Sequence, residues 1–307
     1  MGNEDERTFL QKASGQWNDF RTFLWNKNEK TVLGRNGKSW AQIGLFYLVF
    51  YTCLAVFWAI MLIVFLQTIT DDQPKFKSYI GTPGLYQIPK FSEKLNPIKF
   101  DVQNEKTYLG YVKELQTVYD EYLERNGNGN YSSCVGNEIR DFDGVREEIC
   151  EFDIEEQFGD VCKPPHFGYK FGKPCIFVGL NRVWGWKPEN YPSDGIPDAI
   201  KKTHEENFIT VACQVYKDAQ TLLNSTMIAP VPGFSFKYYP FLGAINDNYK
   251  DMYVSPLVAI QFDLSVKNRE VRLVCQSYAA NIEPGNGLFD TSYRSELRID
   301  MTITDKS

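Results

Sequence analysis

The sequence predicts a membrane-anchored protein with one transmembrane helix near its N-terminus and a mainly-β outer domain that has one added helix. Residues 39–70 contain no Asp, Glu, Lys or Arg over 32 positions, and a charge-free apolar run of that length predicts a membrane span. Beyond residue 175, hydrophobic residues recur at every second position, which predicts strands with one buried face. With 43% hydrophobic and 23% charged residues over 307 positions, the composition excludes disordered, collagen-like and simple coiled-coil chains.

The predicted span separates a tail, residues 1–38, from a much longer outer segment. At ~1.5 Å per residue the full run exceeds the ~30 Å hydrocarbon core, so we expect its ends to lie in the interfaces or the helix to tilt. The run is too long and begins too late for a cleaved signal peptide. No later stretch reaches ~18 apolar residues, so one span is predicted.

The tail is predicted to be cytoplasmic and the outer segment extracytoplasmic. Five bases lie in the twenty residues before the span, against three in the twenty after it, and Lys and Arg beside a span favour the cytoplasmic side. Six of the seven cysteines follow the span, an even number that suits disulfides in an oxidising compartment. Two N-glycosylation sequons, at Asn130 and Asn224, lie on the same side.

The charge distribution argues against binding of nucleic acid. The tail carries seven bases and five acids, whereas the outer segment carries 26 bases and 34 acids. An acidic segment without clustered bases is a poor match for a phosphate backbone, and its charge is typical of a soluble secreted surface. Nucleic acid is therefore not an expected partner.

The outer segment is predicted to begin with a stalk, residues 71–104, and to continue as a disulfide-bonded domain, residues 105–307. Four prolines in the stalk predict an extended segment without regular structure. An amphipathic helix is predicted from about 105 to 124, with Asn104 as its cap and Asn126-Gly127 at its end. Its apolar face has residues at steps of three and four: Tyr108, Val112, Leu115, Tyr119 and Tyr122.

Four stretches of the outer domain alternate in hydrophobicity and predict strands: 209–215, 258–266, 271–275 and 297–303. Because no helices alternate with these strands, an immunoglobulin-like sandwich is favoured over a parallel α/β domain. Cys213 and Cys275 both fall at inward positions of their strands, which predicts a disulfide between two packed sheets.

No motif predicts catalysis. The histidines, His166 and His204, are not spaced with Cys or His as zinc ligands are, and no phosphate-binding loop or nucleophile elbow occurs. Asp141-Phe142-Asp143 could hold a divalent ion on a nucleotide sugar, as in a glycosyltransferase. An acidic loop between two cysteines is favoured instead, because such enzymes need α/β nucleotide-binding halves. We expect no catalytic residue, no metal and no cofactor.

One face of the predicted span is aromatic. Tyr47, Tyr51 and Trp58 are spaced by four and seven residues, so they lie on one side of a helix. Tyr51 and Trp58 lie inside the span, whereas lipid-facing aromatic belts lie at its ends. A face packed on another transmembrane helix is therefore favoured over a belt.

A set of motifs runs collinearly from residue 20 to the C-terminus. Before and within the span the motifs are Phe20-x-x-Phe23-x-Trp25-Asn26, Leu33-Gly34-Arg35, Trp40 and Phe46-Tyr47-x-x-Phe50-Tyr51-x-Cys53-Leu54-Ala55. Beyond the span they are Tyr79, Pro83-Gly84-Leu85, Phe167-Gly168-Tyr169, Gly172-Lys173-Pro174-Cys175, Leu180-Asn181-Arg182, Tyr238-Tyr239-Pro240, Pro256-Leu257-Val258-Ala259 and Asn281-Ile282. Together these motifs resemble the β subunits of the sodium/potassium- and proton/potassium-transporting ATPases.

The resemblance implies a non-catalytic, glycosylated, single-span type II subunit of the plasma membrane. Its partner would be a P-type ATPase α subunit, which carries the phosphorylated aspartate, the ATP site and the ion sites. The β subunit would help α to fold, leave the endoplasmic reticulum and reach the plasma membrane, and would tune potassium affinity. The aromatic face of the span would dock beside α, while strand 258–266 and the Tyr238-Tyr239-Pro240 segment would supply the larger outer surface. The small number of sequons favours the sodium-pump type.

The resemblance also implies two disulfides, Cys134–Cys150 and Cys162–Cys175. The sequence departs from the family pattern at Asn36, where Thr is usual, and in the spacing between Cys150 and Cys162, which is longer than usual. These departures leave a second function open, that of a diverged type II cell-surface adhesion protein with the same outer domain and no pump role.

Overall fold

The computed structural model describes residues 17, 20–27, 29–69, 81–90, 97–128, 131, 134–139, 149–216, 220–242, 253–282 and 295–305. The chain divides into two units, Met1–Thr70 and Asp71–Ser307. Each unit is described by itself.

The described residues of the first unit include a helical turn at 20–24, a small sheet and one long helix. Strands β1 (Trp25–Asn26), β2 (Thr31–Val32) and β3 (Arg35–Asn36) form an antiparallel sheet in that order, and helix α1 (Gly37–Gln67) follows at once. Helix α1 is long and apolar enough to cross a membrane, and none of its residues is buried. The predicted span is therefore a continuous helix, which begins before residue 39 and ends before residue 70.

Asn36 determines where α1 begins. Its backbone is extended, and its side-chain oxygen accepts a 2.9 Å hydrogen bond from the backbone N–H of Ser39. This N-cap satisfies a donor that the first turn of a helix leaves unpaired. Because Thr and Asn are both good N-cap residues, the departure from Thr noted at this position preserves the cap.

The second unit has nine strands in its described residues: β4 (Leu85–Ile88), β5 (Ile98–Asp101), β6 (Cys175–Leu180), β7 (Phe208–Val215), β8 (Leu223–Ala229), β9 (Gly233–Ser235), β10 (Leu257–Leu264), β11 (Glu270–Tyr278) and β12 (Glu296–Thr304). One sheet has the order β4-β6-β10-β8 and the other has the order β5-β12-β11-β7-β9. All neighbouring strands are antiparallel except β5 and β12, which are parallel. Buried residues of both sheets belong to one hydrophobic core.

The stalk prediction is wrong where it denies regular structure, because β4 and β5 are strands of the two sheets. Each is an edge strand, and the neighbouring prolines, Pro83, Pro89 and Pro97, lie outside the strands. Proline cannot donate to a sheet ladder, but it is tolerated beside and on edge strands. The four strands predicted from alternation are present as β7, β10, β11 and β12.

The disulfide between Cys213 and Cys275 lies within one sheet and not between two sheets, so that part of the prediction is wrong. The two residues are directly opposite on β7 and β11, with Cα atoms 4.0 Å apart. Directly opposite residues on neighbouring strands share a face, so inward positions alone could not decide between the two arrangements. The remaining disulfides are Cys134–Cys150 and Cys162–Cys175, the pairs that the family resemblance implies.

Helix α2 (Leu109–Asn128) is the predicted amphipathic helix, and Tyr108, Val112, Leu115 and Tyr119 along its predicted face are buried. Its ends differ from the prediction. A short 3₁₀ turn, Glu105–Thr107, precedes the helix, and Asn104 makes no side-chain capping bond there. The helix also continues through the Asn126-Gly127 pair, because glycine lowers helix stability without excluding it from a last turn. A second, short helix, α3 (Ile154–Phe158), is capped by Asp153.

Candidate partner-binding surfaces

The motif residues before the span fix how the chain enters α1. The indole N–H of Trp40 donates a 2.9 Å hydrogen bond to the carbonyl oxygen of Val32, which ties the helix to strand β2. Gly34 has a φ of +71°, a left-handed conformation that favours glycine, and a Cβ there would lie 3.5 Å from the ring of Phe23. The Leu33-Gly34-Arg35 and Trp40 motifs therefore have a structural role in this unit.

Helix α1 carries the predicted aromatic face. The rings of Tyr47 and Tyr51 stack with centroids 5.9 Å apart, and Trp58 lies two helical turns further along the same side. All three side chains are exposed, by 49%, 59% and 67% respectively. The structure thus brings the two tyrosines together and leaves the whole face available for contact with lipid or with another helix.

Sequence reasoning missed two further components of this surface. Phe46 and Phe50 stack on each other at 6.2 Å, and each ring meets a neighbouring tyrosine edge-on, so four rings form one cluster. Their own four-residue spacing was the signal that could have found them. Gly44 lies one turn before Tyr47, and nothing stands within 4 Å of the position where its Cβ would be. A small residue beside large rings lets another helix approach closely.

The motifs between Phe167 and Cys175 build a closed loop at the start of β6. The carbonyl oxygen of Gly168 accepts a 3.0 Å hydrogen bond from the backbone N–H of Lys173, and that of Phe167 accepts one of 3.1 Å from Cys175. The hydroxyl of buried Tyr169 donates to the carbonyl oxygen of Cys175 at 3.1 Å. Because a Cβ on Gly168 would lie 1.9 Å from the Lys173 carbonyl oxygen, only glycine fits there.

Arg182 contacts residues from distant parts of the second unit. Its guanidinium lies 5.5 Å from the ring centroid of Phe241 and 5.3 Å from that of Tyr253, which are cation–π distances. Its Nε donates to the hydroxyl of Ser255 at 2.8 Å, and the Tyr253 hydroxyl donates to the carbonyl oxygen of Tyr238 at 3.1 Å. The Leu180-Asn181-Arg182 and Tyr238-Tyr239-Pro240 motifs therefore meet in one cluster.

The prediction that Tyr238, Tyr239 and the strand at 258–266 offer a partner surface is wrong for these side chains. The two tyrosines are only 6% and 7% exposed, and most of β10 is in the core. Burial raises the pKa of Tyr239 well above its usual range. An aromatic-rich segment suits a core as well as an interface, so the residue types could not distinguish the two.

A groove of about 690 Å³ lies between α2 and β4, where sequence reasoning predicted no site. Its lining includes three bases, Lys90, Arg125 and Arg182, and one acid, Glu121, which pairs with Arg125 at 2.7 Å. The lining also includes the phenols Tyr86 and Tyr122. Burial raises the pKa of each, although the positive charge of Arg182 partly opposes this effect. The groove therefore combines neutral aromatic walls with an excess of positive charge.

Of the two sequon asparagines, the structure describes only Asn224. Asn224 is exposed on β8, an edge strand of the four-stranded sheet, and its side-chain nitrogen donates to Asp263 at 3.5 Å. Asn130 lies outside the described residues. An exposed position on an edge strand leaves space for an oligosaccharide.

Within the described part of the chain, no group of three or more His, Cys, Asp and Glu side chains could hold a metal ion. The acidic pair Asp141 and Asp143 lies outside that part. The arrangement of the described surfaces suits binding: an aromatic helix face, a charged groove and a disulfide-bonded sandwich.

Comparison with known proteins agrees with this arrangement. Residues 10–291 match the family described as sodium / potassium ATPase beta chain. A probable sodium/potassium-transporting ATPase subunit beta-3 of Caenorhabditis briggsae is 33% identical, over 89% of this chain and 84% of the relative. The subunit beta-1 of Tetronarce californica is 32% identical over 97% of this chain and 99% of the relative, and the subunit beta-1 of Drosophila melanogaster is 32% identical over 94% of each. This chain, which has one candidate membrane-spanning helix in its described residues and a mainly-β second unit, belongs to the sodium/potassium ATPase β-chain family.

Proposed function

We propose that the chain is the non-catalytic β subunit of a sodium/potassium-transporting ATPase. It binds an α subunit, assists the folding and plasma-membrane delivery of that subunit, and tunes its potassium affinity. The family match over residues 10–291 carries the proposal. The chain needs no metal or cofactor for this role. The tail faces the cytoplasm and the second unit is extracellular, which the excess of bases before the span and the cysteines and sequons after it support.

The first contact with α is made by the aromatic face of α1. A large exposed face in lipid gains little from hydrophobic burial, so van der Waals packing and the hydroxyls of Tyr47 and Tyr51 supply the energy. Polar contacts between transmembrane helices average only about 0.6 kcal/mol. We therefore expect Tyr51→Ala to change the apparent potassium affinity of the assembled pump and to leave assembly intact.

A matched control for Tyr51 lies on the opposite side of α1. Ile63 is twelve residues further along, which at 3.6 residues per turn places it about 120° from Tyr51 and still further from Tyr47. Ile63→Ala should leave potassium affinity unchanged. Potassium activation of ATP hydrolysis in membranes from cells that express both subunits measures both variants. Equal effects of the two substitutions would contradict contact through the tyrosine face.

The second contact is made by the groove between α2 and β4. Its excess of positive charge suits an extracellular loop of α that carries a carboxylate. The Tyr122 hydroxyl already donates to the carbonyl oxygen of Ser255 at 2.7 Å, so toward such a loop it can act only as an acceptor. Reversing one charge tests this contact. Arg125→Glu should reduce the amount of α that co-purifies, because the partly exposed Arg125 lines the groove and its partner Glu121 would then face a second carboxylate.

Lys201 provides the control for Arg125. It is an exposed base that, like Arg125, has an acidic partner nearby in the chain, at 3.4 Å from Asp198, but it lies outside the groove. Lys201→Glu should leave co-purification unchanged. If both reversals lowered recovery of α equally, a general charge effect and not the groove would be responsible.

Assembly also requires the closed outer domain. Truncation before Cys275 removes the Cys213–Cys275 disulfide and strand β12, which lies between β5 and β11 in the five-stranded sheet. The truncated chain should remain in the endoplasmic reticulum and should fail to deliver α. Surface labelling and immunoprecipitation after co-expression provide the measurement. Delivery of α by the truncated chain would contradict the claim that the closed outer domain is the assembly determinant.

A further inference from the structure

Large apolar side chains are exposed in the described residues directly before α1. They belong to the helical turn 20–24 and to the sheet of β1, β2 and β3, which together we call the juxtamembrane sheet, residues 20–27 and 29–36. The exposed fractions are 50% for Phe20, 54% for Phe23, 41% for Leu24, 63% for Trp25 and 40% for Leu33. Contiguous exposed apolar groups of this size mark a surface that contacts a membrane or a partner.

Basic residues accompany these apolar groups. The bases between positions 20 and 38 are Arg21, Lys27, Lys30, Arg35 and Lys38, all of them exposed, and the only acid in that range is Glu29. A surface that combines Trp, Phe and Leu with Lys and Arg is typical of segments that lie in the interface of an anionic bilayer. The excess of positive charge therefore complements anionic lipid headgroups.

The chain connects this sheet directly to the predicted span. Strand β3 ends at Asn36, and α1 begins at the next residue. Helix α1 has 31 residues and is therefore about 46 Å long, comparable to the ~40–45 Å of a whole bilayer with its headgroups. The hydrogen bond from Trp40 to Val32 further limits movement of the sheet away from the helix.

The register of the sheet places an indole and a guanidinium on one face. Trp25 is directly opposite Val32, and Val32 is directly opposite Arg35, so the three side chains share a face. Trp25 and Arg35 are both exposed. Such a face can place its ring at the level of the headgroups while its charge contacts a phosphate.

We propose that the juxtamembrane sheet is a binding site for anionic phospholipid, with Trp25 in the interface and Lys27, Lys30 and Arg35 on the headgroups. The site goes beyond pump assembly, and it rests on the proposed orientation because anionic lipid is concentrated in the cytoplasmic leaflet. Each basic side chain near an anionic surface contributes roughly fivefold to binding.

Hydrogen exchange of the purified full-length chain, without an α subunit, tests the site. The chain is placed in nanodiscs of phosphatidylcholine alone or of phosphatidylcholine mixed with phosphatidylserine. We expect the amides of residues 25–36 to exchange at least fivefold more slowly with phosphatidylserine present, and we expect high salt to reduce the difference. The variant Lys27→Gln/Lys30→Gln/Arg35→Gln should lose most of this protection.

Two controls keep the result specific. The variant Lys201→Gln/Lys202→Gln removes exposed bases from the second unit and should leave the lipid effect unchanged. Exchange in the core strand β10 should be the same in every variant, which excludes general unfolding. Equal exchange of residues 25–36 in both lipids would overturn the proposal. Protection that appeared only after addition of α would also overturn it and would assign the sheet to the protein partner, whereas failure of pump assembly alone would not affect it.

Discussion

Gly168 is a position where one added methyl group should strongly destabilise the second unit. In Gly168→Ala the new Cβ would stand 1.9 Å from the carbonyl oxygen of Lys173 and 2.5 Å from the side-chain nitrogen of Gln261. The carbonyl belongs to the loop that the Cys162–Cys175 disulfide closes, so the backbone must shift by about 1 Å or more. Overpacking of this kind costs roughly 1–3 kcal/mol.

The left-handed backbone adds a second cost. Gly168 has a φ of +75°, and a Cβ in that conformation costs about 1–2 kcal/mol. We therefore expect Gly168→Ala to lower the free energy of unfolding by roughly 2–5 kcal/mol. Gly185→Ala is the matched control, because Gly185 has a φ of +70° with nothing within 4 Å of its Cβ position, so it should lose only about 1–2 kcal/mol.

Urea unfolding of the full-length chain in mild detergent, followed by circular dichroism, measures the two variants. The change in unfolded-chain entropy on replacing Gly by Ala is common to both and cancels in the comparison. Gly168→Ala should also be retained in the endoplasmic reticulum more strongly than Gly185→Ala. Equal losses of stability in the two variants would show that the Lys173 carbonyl group moves aside at little cost. The steric explanation for glycine at position 168 would then be wrong.

Two further predictions concern the covalent features of the outer domain. Cys213 and Cys275 are 62 positions apart, whereas Cys162 and Cys175 are only 13 apart, so the chain-entropy relation predicts that the two disulfides stabilise the fold by about 4 and about 3 kcal/mol respectively. Unfolding of the two double alanine variants should therefore show the larger loss of stability for the Cys213–Cys275 pair. The reverse order would refute the chain-entropy explanation. Asn224→Gln should remove one glycosidase-sensitive mobility step, while a sequon engineered into the tail stays unmodified, and a glycosylated tail would overturn the proposed orientation.

Much of the fold follows from hydrophobic periodicity, and the exceptions have physical causes. Strands β7, β10, β11 and β12 were predictable because one residue in two faces the core. Strand β6 was missed because all its residues, Cys175–Leu180, are buried, so no alternation marks it. Strands β4 and β5 were missed because the prolines that flank them are typical of an extended stalk. Short edge strands nevertheless fit between such prolines.

The candidate surfaces divide in the same way. The tyrosines of α1 were predictable because helical spacing alone places them on one side. The groove was not, because Lys90, Arg125 and Arg182 come from distant parts of the chain and meet only through packing. Burial of Tyr238 and Tyr239 was also not predictable, because tyrosine occurs both in protein cores and on binding surfaces.

Co-purification tests the central claim most directly. The full-length chain is isolated from its native membranes in a mild detergent, and the proteins that accompany it are identified by mass spectrometry. The proposed function predicts one multi-span P-type ATPase α subunit in an amount equal to that of the chain, and its surface level should fall when the chain is depleted. Recovery of the chain from the cell surface without any ATPase partner, and an unchanged pump after depletion, would contradict the claim.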